Sequence, residues 1–513
     1  MHQRNPESNI KSIVLSVFAS ILAMAINYLI SFLLTPYITK TLGTEAYGFV
    51  TLAKTMANYM IILTTFFNAY SSRFIVVAYH EGRLDKANSY FSTISIVNYL
   101  LFFVVCILGS AVIFNLEKLI SIPAYLVNDV KLLFILDLVN YMLLTIANVS
   151  TVAAYIKNRL YITNTIKLIQ YVGEAIVLVL LYSLLSPKVY YVGIALLFST
   201  IIVWILNSIF KHRHVPELAV ELKRFSPRAV RDLVGRGMWS AFNQLGNVLN
   251  SGLDLLVSNL MLSTVAMGEL SIVKTLAAIF STIPGLICQP FQPALLKYYA
   301  EKNTDGVKRT LGIEIKIMGF IAGVLTLGFS VLGRSYYSLW TPNENADLLY
   351  KITLITIVGF VFEAISHPLY YAYTLALKNV VVCIVTVTSG FLNVLGMYLL
   401  ISFTSLELYA VVGTTTVLAL ITGLIFAPIY SSVCLKAKWN LFYPILFRTL
   451  LACSILFFSG WCIFKQINVT GWIPLLSYAF LIIIFSIPVY SILALTRDEW
   501  SVLISKVKKQ RKS

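Results

Sequence analysis

Apolar residues run along this chain in blocks of about 20, parted by short polar stretches. A block of that length is a helix crossing a bilayer, because hydrocarbon offers the backbone no partner and a helix satisfies its own N–H and C=O groups. About fourteen spans are predicted, near 12–36, 45–69, 91–114, 129–153, 165–186, 190–210, 237–261, 269–294, 313–333, 349–373, 380–403, 408–432, 442–464 and 473–495. The polar start MHQRNPESNIKS leads into the first block without a small-residue cleavage site, so it is expected to be a span and not a cleaved signal peptide. The fold class is therefore all-α, polytopic and membrane-embedded.

Composition narrows the function classes. The 513 residues are 58% hydrophobic and only 12% charged, where a soluble chain needs about 25% charged residues to wet its surface. That excludes a soluble enzyme, a nucleic-acid-binding domain and a disordered chain. The net charge of +17 is a matter of topology. Of the 39 Lys and Arg, with those near span ends counted in the adjoining loops, 30 fall on the side of the N-terminus and alternate loops, 7 on the other side, and Lys54 and Lys274 deep inside spans. The basic side is cytoplasmic, which places both termini there. No nucleic-acid partner is needed to explain the charge.

The six cysteines, mostly inside apolar runs and with no CxxC pair, read as small buried hydrophobes. The segment 211–236, KHRHVPELAVELKRFSPRAVRDLVGR, is the most charged internal piece. It is expected to be a positive-inside linker, with Ser226 and Pro227 as a helix N-cap and first position. A helix lying on the interface and binding anionic lipid is the alternative.

The chain also repeats itself at an offset of 220. LGTEAYGFVTLAKTMA (42–57) aligns without gaps on LSTVAMGELSIVKTLA (262–277), with Gly48/Gly268, Lys54/Lys274 and Thr55/Thr275 among the identities. The same offset pairs Asn27 with Asn247 before the segment, and Glu81 with Glu301 and Asp85 with Asp305 after it. Six spans is an even number, so the copies share orientation and are expected to be related by a pseudo-twofold along the membrane normal, with a cavity between them. The domain division expected is a six-helix bundle over 1–210, a basic linker over 211–236, a second bundle over 237–432, and two added helices with a basic tail over 433–513.

Polar residues inside the spans are the candidate chemistry. Asn243, Asn247, Asn250 and Asp254 follow i, i+4, i+7, i+11 spacing, one face of a helix, which lipid excludes and a wet cavity accepts. Ser16, Ser20, Asn27 and Ser31 repeat the pattern in the first span, and Asn58 follows Lys54 by one turn. Such residues serve either as glue between helices or as cavity lining. A lysine within a span costs about 2.5–3.5 kcal/mol on insertion scales, and here equivalent positions of both copies carry one. Lys54 and Lys274 either snorkel to the interface or face a cavity as a pair of ammonium groups suited to a phosphate. Asp137, Glu174, Asp254 and Glu363 are proton or cation sites, or ion-pair partners of the lysines. His367, beside Pro368, is read as part of a kinked helix. Motifs of P-loops, α/β-hydrolases, zinc proteases and dinucleotide folds are absent, and no metal or cofactor is expected.

The segment TPYITKTLGTEAYG (35–48) resembles the hallmark of Wzx-type polysaccharide flippases, and DLLVSNLMLSTVAMGELSIVKTLA (254–277) resembles the seventh and eighth helices of the same family. That family is a branch of the multidrug/oligosaccharidyl-lipid/polysaccharide exporter superfamily, and the likeness spans the chain in length, span count and repeat. It implies a two-lobed exporter in the bacterial cytoplasmic (inner) membrane. The implied activity is alternating access that moves undecaprenyl-pyrophosphate-linked repeat units of O-antigen, capsule or exopolysaccharide to the outer leaflet. Membrane lipids and a polysaccharide polymerase with its chain-length proteins are the implied partners. In related lipid II flippases, basic residues on the second and eighth helices hold the pyrophosphate; Lys54 and Lys274 match those helices, with Lys where a bidentate Arg would serve. A cation-coupled multidrug antiporter of the same superfamily is the alternative, and a membrane polymerase or ligase a more distant one, since the longest outer loop, around 334–348, has only about 15 residues.

Overall fold

A computed structural model describes residues 6–157, 159–465, 469–496 and 499, with side chains from residue 22 onward. The side chains of Ser16 and Ser20 of the expected first-span stripe, and the basic tail beyond 500, lie outside the described residues. The described residues are helical almost throughout, and thirteen helical segments among them are long and apolar enough to cross a membrane.

The seventh of the fourteen expected spans, 237–261, is not one of the thirteen. A helix does begin there, over Pro227–Asn247, and Ser226 caps it by accepting from the Ala229 N–H while Pro227 takes the first turn, as predicted. Its sequence is amphipathic rather than apolar, and it gives way to a π-turn over Val248–Gly252 before the short helix Asp254–Met261. Polar residues in the membrane thus coincide with irregular helix geometry, which is tolerated where protein covers it.

The chain forms two compact units: residues 1–272 with 383–394, and 273–382 with 395–513. In the first, Leu160–Leu184 packs against both Pro6–Leu42 and Tyr191–His214, and the latter packs on Val127–Val149. Thr44–His80 bends twice, as Thr44–Asn58, Met60–Asn68 and Ser71–His80. Pro227–Asn247 lies along Met60–Asn68, close enough that a Cβ on Gly237 would fall on the Phe66 carbonyl oxygen.

In the second unit the 37-residue helix Thr304–Trp340 is central. Leu311, Ile315, Leu327 and Leu332 bury themselves against Tyr443–Phe464 and Trp472–Ala494, so the last two spans share the unit's core. Small residues permit the approach: Gly319 lies under Thr449 and Tyr490, and Gly323 under Leu456 and Cys453. The Tyr490 hydroxyl donates to the Lys316 carbonyl at 2.8 Å.

Candidate functional site

Three charged side chains from three helices of the first unit act on one another. Lys54 stands on Thr44–Asn58, Asp137 on Val127–Val149 and Glu174 on Leu160–Leu184. The Lys54 side chain is exposed at the unit's surface, within electrostatic reach of both carboxyl groups, and Asp137 also feels Glu174. Asp137 is 2% exposed and Glu174 6%. Both Asp137 carboxyl oxygens are buried without a hydrogen-bond donor among the described residues. Burying a carboxylate without donors is costly, so the charge of Lys54 is what offsets an ionised acid at this depth. With two carboxyl groups against one ammonium, the cluster can exchange a proton or small cation as well as pair charges. Asn58 is exposed one turn beyond Lys54, Asn27 is half-buried, and Tyr171 lies in the electrostatic surroundings of both Glu174 and Tyr28.

The expected stripe of Asn243, Asn247, Asn250 and Asp254 does not run along one continuous face. A π-turn adds a residue to its turn and rotates the helix beyond it by roughly 100°, and this one lies between Asn247 and Asp254. Asn247 is accordingly exposed and Asp254 buried, with Asn243 half-buried. Asn250, inside the turn, is fastened: its amide donates to the Gly246 and Thr386 carbonyls at 2.9 Å each and accepts from the Ser389 hydroxyl at 3.0 Å. Asn393 donates to the Asn250 carbonyl at 2.7 Å. These bonds tie the π-turn to residues 383–394. Nearby, the Tyr59 hydroxyl donates to the Gly252 carbonyl at 2.7 Å and lies within reach of the Asp254 charge.

Equivalent positions of the two repeat copies meet in the first unit. A Cβ on Gly48 would come within 2.8 Å of Met267 Cε and 2.9 Å of Gly268 Cα, and one on Gly268 would fall on the Thr44 carbonyl. Beside this crossing the Thr264 hydroxyl donates to Glu45 at 2.6 Å, and the Tyr125 hydroxyl donates to the same carboxylate at 3.0 Å. Partial burial and the Glu45 charge hold the Tyr125 phenol above its ordinary pKa. Asn259 pairs with the Ser121 backbone through both amide atoms, at 2.9 and 3.0 Å.

Lys274 belongs to the second unit, half-buried on Thr264–Cys288. Glu363, on Ala346–Ser366, acts electrostatically on the Tyr370 phenol. Sequence reasoning missed three charges in these helices. Glu269 is half-buried five residues before Lys274. Glu314 is 1% exposed and takes the Cys288 thiol as donor, while its Oε1 is buried without a partner among the described residues. Lys316, 8% exposed, pairs with Glu499 at 2.7 Å. Partial burial pushes the Glu499 carboxyl upward, but hydrogen bonds from Lys316 and Thr496 outweigh it and hold the pKa below the ordinary value. Glu314 and Lys316 sit at the start of the expected span 313–333, where they pass for loop charges. The helix begins at Thr304, which puts both of them about three turns inside.

Comparison with known proteins agrees with this architecture. Residues 13–298 match the family described as polysaccharide biosynthesis protein. The chain is 28% identical over 433 residues to the uncharacterized membrane protein EpsK of Bacillus subtilis (strain 168), covering 83% of this chain and 82% of that one. Its fold is similar to the lipid II flippase MurJ in an inward closed conformation, with a TM-score of 0.68 at 16% identity over 94% of this chain and 98% of that one. It is also similar to an inward-facing multidrug resistance transporter of the MATE family in the MOP superfamily, with a TM-score of 0.65 at 14% identity over 82% of this chain and 99% of that one.

Proposed function

We propose that the chain, a member of the polysaccharide biosynthesis protein family, is a transporter of the MOP superfamily and a flippase for undecaprenyl-pyrophosphate-linked oligosaccharide repeat units, moving them from the cytoplasmic to the outer leaflet by alternating access. The observation that carries this reading is the pair of intramembrane lysines, Lys54 and Lys274, at equivalent positions of the internal repeat. A lipid-linked sugar has an anionic head too polar for hydrocarbon and a tail that stays in it. Two ammonium groups on equivalent helices suit the pyrophosphate, while Asn27, Asn58, Asn243 and Asn247 supply the polar path for the sugars; Asn250, bonded through its amide, and Asp254, buried, leave that path. Asp137 and Glu174 share the charge of Lys54, so substrate arriving at Lys54 competes with them, and a proton or cation taken up by the carboxyl groups keeps the cluster neutral. Glu363 is the corresponding candidate of the second unit. An inside-negative potential assists an anion moving outward by about 2.3 kcal/mol per charge per 100 mV.

Transbilayer movement of an undecaprenyl-pyrophosphate oligosaccharide in proteoliposomes tests the proposal. Wild type is expected to accelerate movement, and Lys54→Ala with Lys274→Ala to slow it at least about tenfold, from the loss of two charge-assisted contacts. Lys54→Arg with Lys274→Arg is expected to retain it. Thermal stability of each variant in detergent separates a lost site from a lost fold. Movement unchanged in the alanine variant sinks the site and keeps the function. No movement of any such lipid, with efflux of organic cations instead, hands the function to the antiporter reading.

A further inference from the structure

The segment expected to be a plain basic linker is a strap fixed to the first unit. Residues 215–226 lie over the start of Leu84–Phe114, whose polar side chains hold their backbone. Asn88 donates to the Glu217 carbonyl at 2.6 Å and accepts from the Ala219 N–H at 3.0 Å; Ser92 bridges the Ala219 carbonyl and the Glu221 N–H; Thr93 accepts from the Ser226 N–H at 3.1 Å. Val215 and Leu218 are fully buried beneath it. Lys211, in the last turn of Tyr191–His214, is 5% exposed, donates to the Leu218 carbonyl at 2.8 Å and lies 5.3 Å from the centre of the Phe91 ring.

Beside the strap lies a cavity of about 240 Å³. Lys211 and His212 line it together with Ser95, Asn98, Ser150 and Ser208, and no carboxylate is among its lining residues. An ammonium has three N–H groups, and the bond to Leu218 uses one of them. The His212 ring meets the Ser208 carbonyl through Nδ1 at 2.9 Å, which leaves Nε2 as its second polar atom. Basic and hydroxyl side chains with no acid among them suit an anion, against a wall that Phe91, Ile146, Val149 and Val220 make apolar. Its rim also carries Tyr99 and Trp204, 38% and 37% exposed, the amphipathic aromatics that settle at a membrane–water boundary. On the same two helices, Leu84–Phe114 and Tyr191–His214, the neighbouring Leu100, Phe103 and Ile205 are exposed apolar side chains. The occupant that matches all three zones has a phosphate head, an interfacial middle and an apolar tail.

We propose that this cavity, framed by Lys211, His212, Ser150 and Ser208 under the strap, binds the phosphodiester headgroup of an anionic membrane phospholipid, and that the bound lipid braces the strap. The site is separate from Lys54 and Lys274 and does not depend on what the transporter moves.

Native mass spectrometry of the full chain in detergent, titrated with phosphatidylglycerol and in parallel with phosphatidylcholine, tests it. Wild type is expected to retain one phosphatidylglycerol that phosphatidylcholine does not replace. Lys211→Gln with His212→Gln keeps a donor for the Leu218 carbonyl while removing the charge, and is expected to weaken retention about tenfold or more. Arg213→Gln removes a neighbouring charge that does not line the cavity and is expected to retain the lipid as wild type does. Should the glutamine pair prove unstable, Ser208→Leu, which fills the cavity and leaves the charges in place, is expected to abolish retention. Equal retention by wild type and the cavity variants overturns the proposal, as does an equal loss in Arg213→Gln. Displacement of the lipid by millimolar inorganic phosphate, with no dependence on acyl chains, overturns the assignment to a lipid.

Discussion

Gly48 and Gly268 put the internal repeat to work at a single contact. Each is the residue on which its partner's helix rests, and a side chain at Gly268 meets a backbone carbonyl that cannot rotate away. Gly268→Ala is expected to destabilise the protein by about 1–3 kcal/mol, as overpacking does. Gly235→Ala, in a helix with nothing within 4 Å of the added carbon, is expected to stabilise it by about 0.5–1 kcal/mol. Thermal unfolding in detergent ranks the two. A second residue-scale outcome concerns pH. Glu499 has its folded pKa held below the ordinary 4.5 by Lys316 and Thr496 despite partial burial. A depressed carboxyl contributes stability that is present above its unfolded pKa and lost as pH falls through the folded one. The melting temperature of wild type should therefore fall more steeply below about pH 4.5 than that of Glu499→Gln, which starts lower at pH 7 and lacks that step. Parallel curves for the two would remove the ion pair from the stability of the second unit. Lys54 and the repeat were legible as letters at an offset, whereas the buried Lys316–Glu499 pair was not, because 183 residues separate partners that only packing brings together.

At the scale of elements, the strap over 215–226 and the π-turn over Val248–Gly252 are where local reading and tertiary structure part. The basic composition of the strap reads as a solvated linker, yet its backbone is bound by Asn88, Ser92 and Thr93 from a helix more than 120 residues earlier. Each such hydrogen bond contributes about 1 kcal/mol net. Limited trypsin digestion at Lys223 and Arg224 is expected to be slow in wild type and at least about tenfold faster in Asn88→Ala/Ser92→Ala. Equal rates would mean that the strap opens freely. The π-turn has no simple sequence signal: the spacing of Asn243 to Asp254 is that of a regular helix, and the extra residue in the turn is stabilised by Asn250 bonding to Thr386 and Ser389. The Ser226–Pro227 helix start, in contrast, was legible, because a cap is satisfied by residues three positions apart.

For the whole molecule, the bias of basic residues, with 30 of 39 Lys and Arg counted on one side, predicts cytoplasmic termini. Reporter fusions at the two termini are expected to be active with a cytoplasmic fluorescent protein and inactive with a phosphatase that needs export, while fusions in the 334–348 loop behave in the opposite way. A phosphatase-active terminus would invert the topology and with it the direction of transport.

Chain-wide hydrophobicity by itself determined that this protein is a bundle of membrane helices, since in hydrocarbon the backbone of such a chain has no other way to satisfy itself. Self-comparison determined the repeat, and with it the equivalence of Lys54 and Lys274. The tertiary structure alone decided which intramembrane charges act on one another. Lys54, Asp137 and Glu174 stand on three different helices, each more than 30 residues in sequence from the other two, and in a low-dielectric interior the energy of a charge depends on what lies within a few ångströms rather than on what lies beside it in the chain.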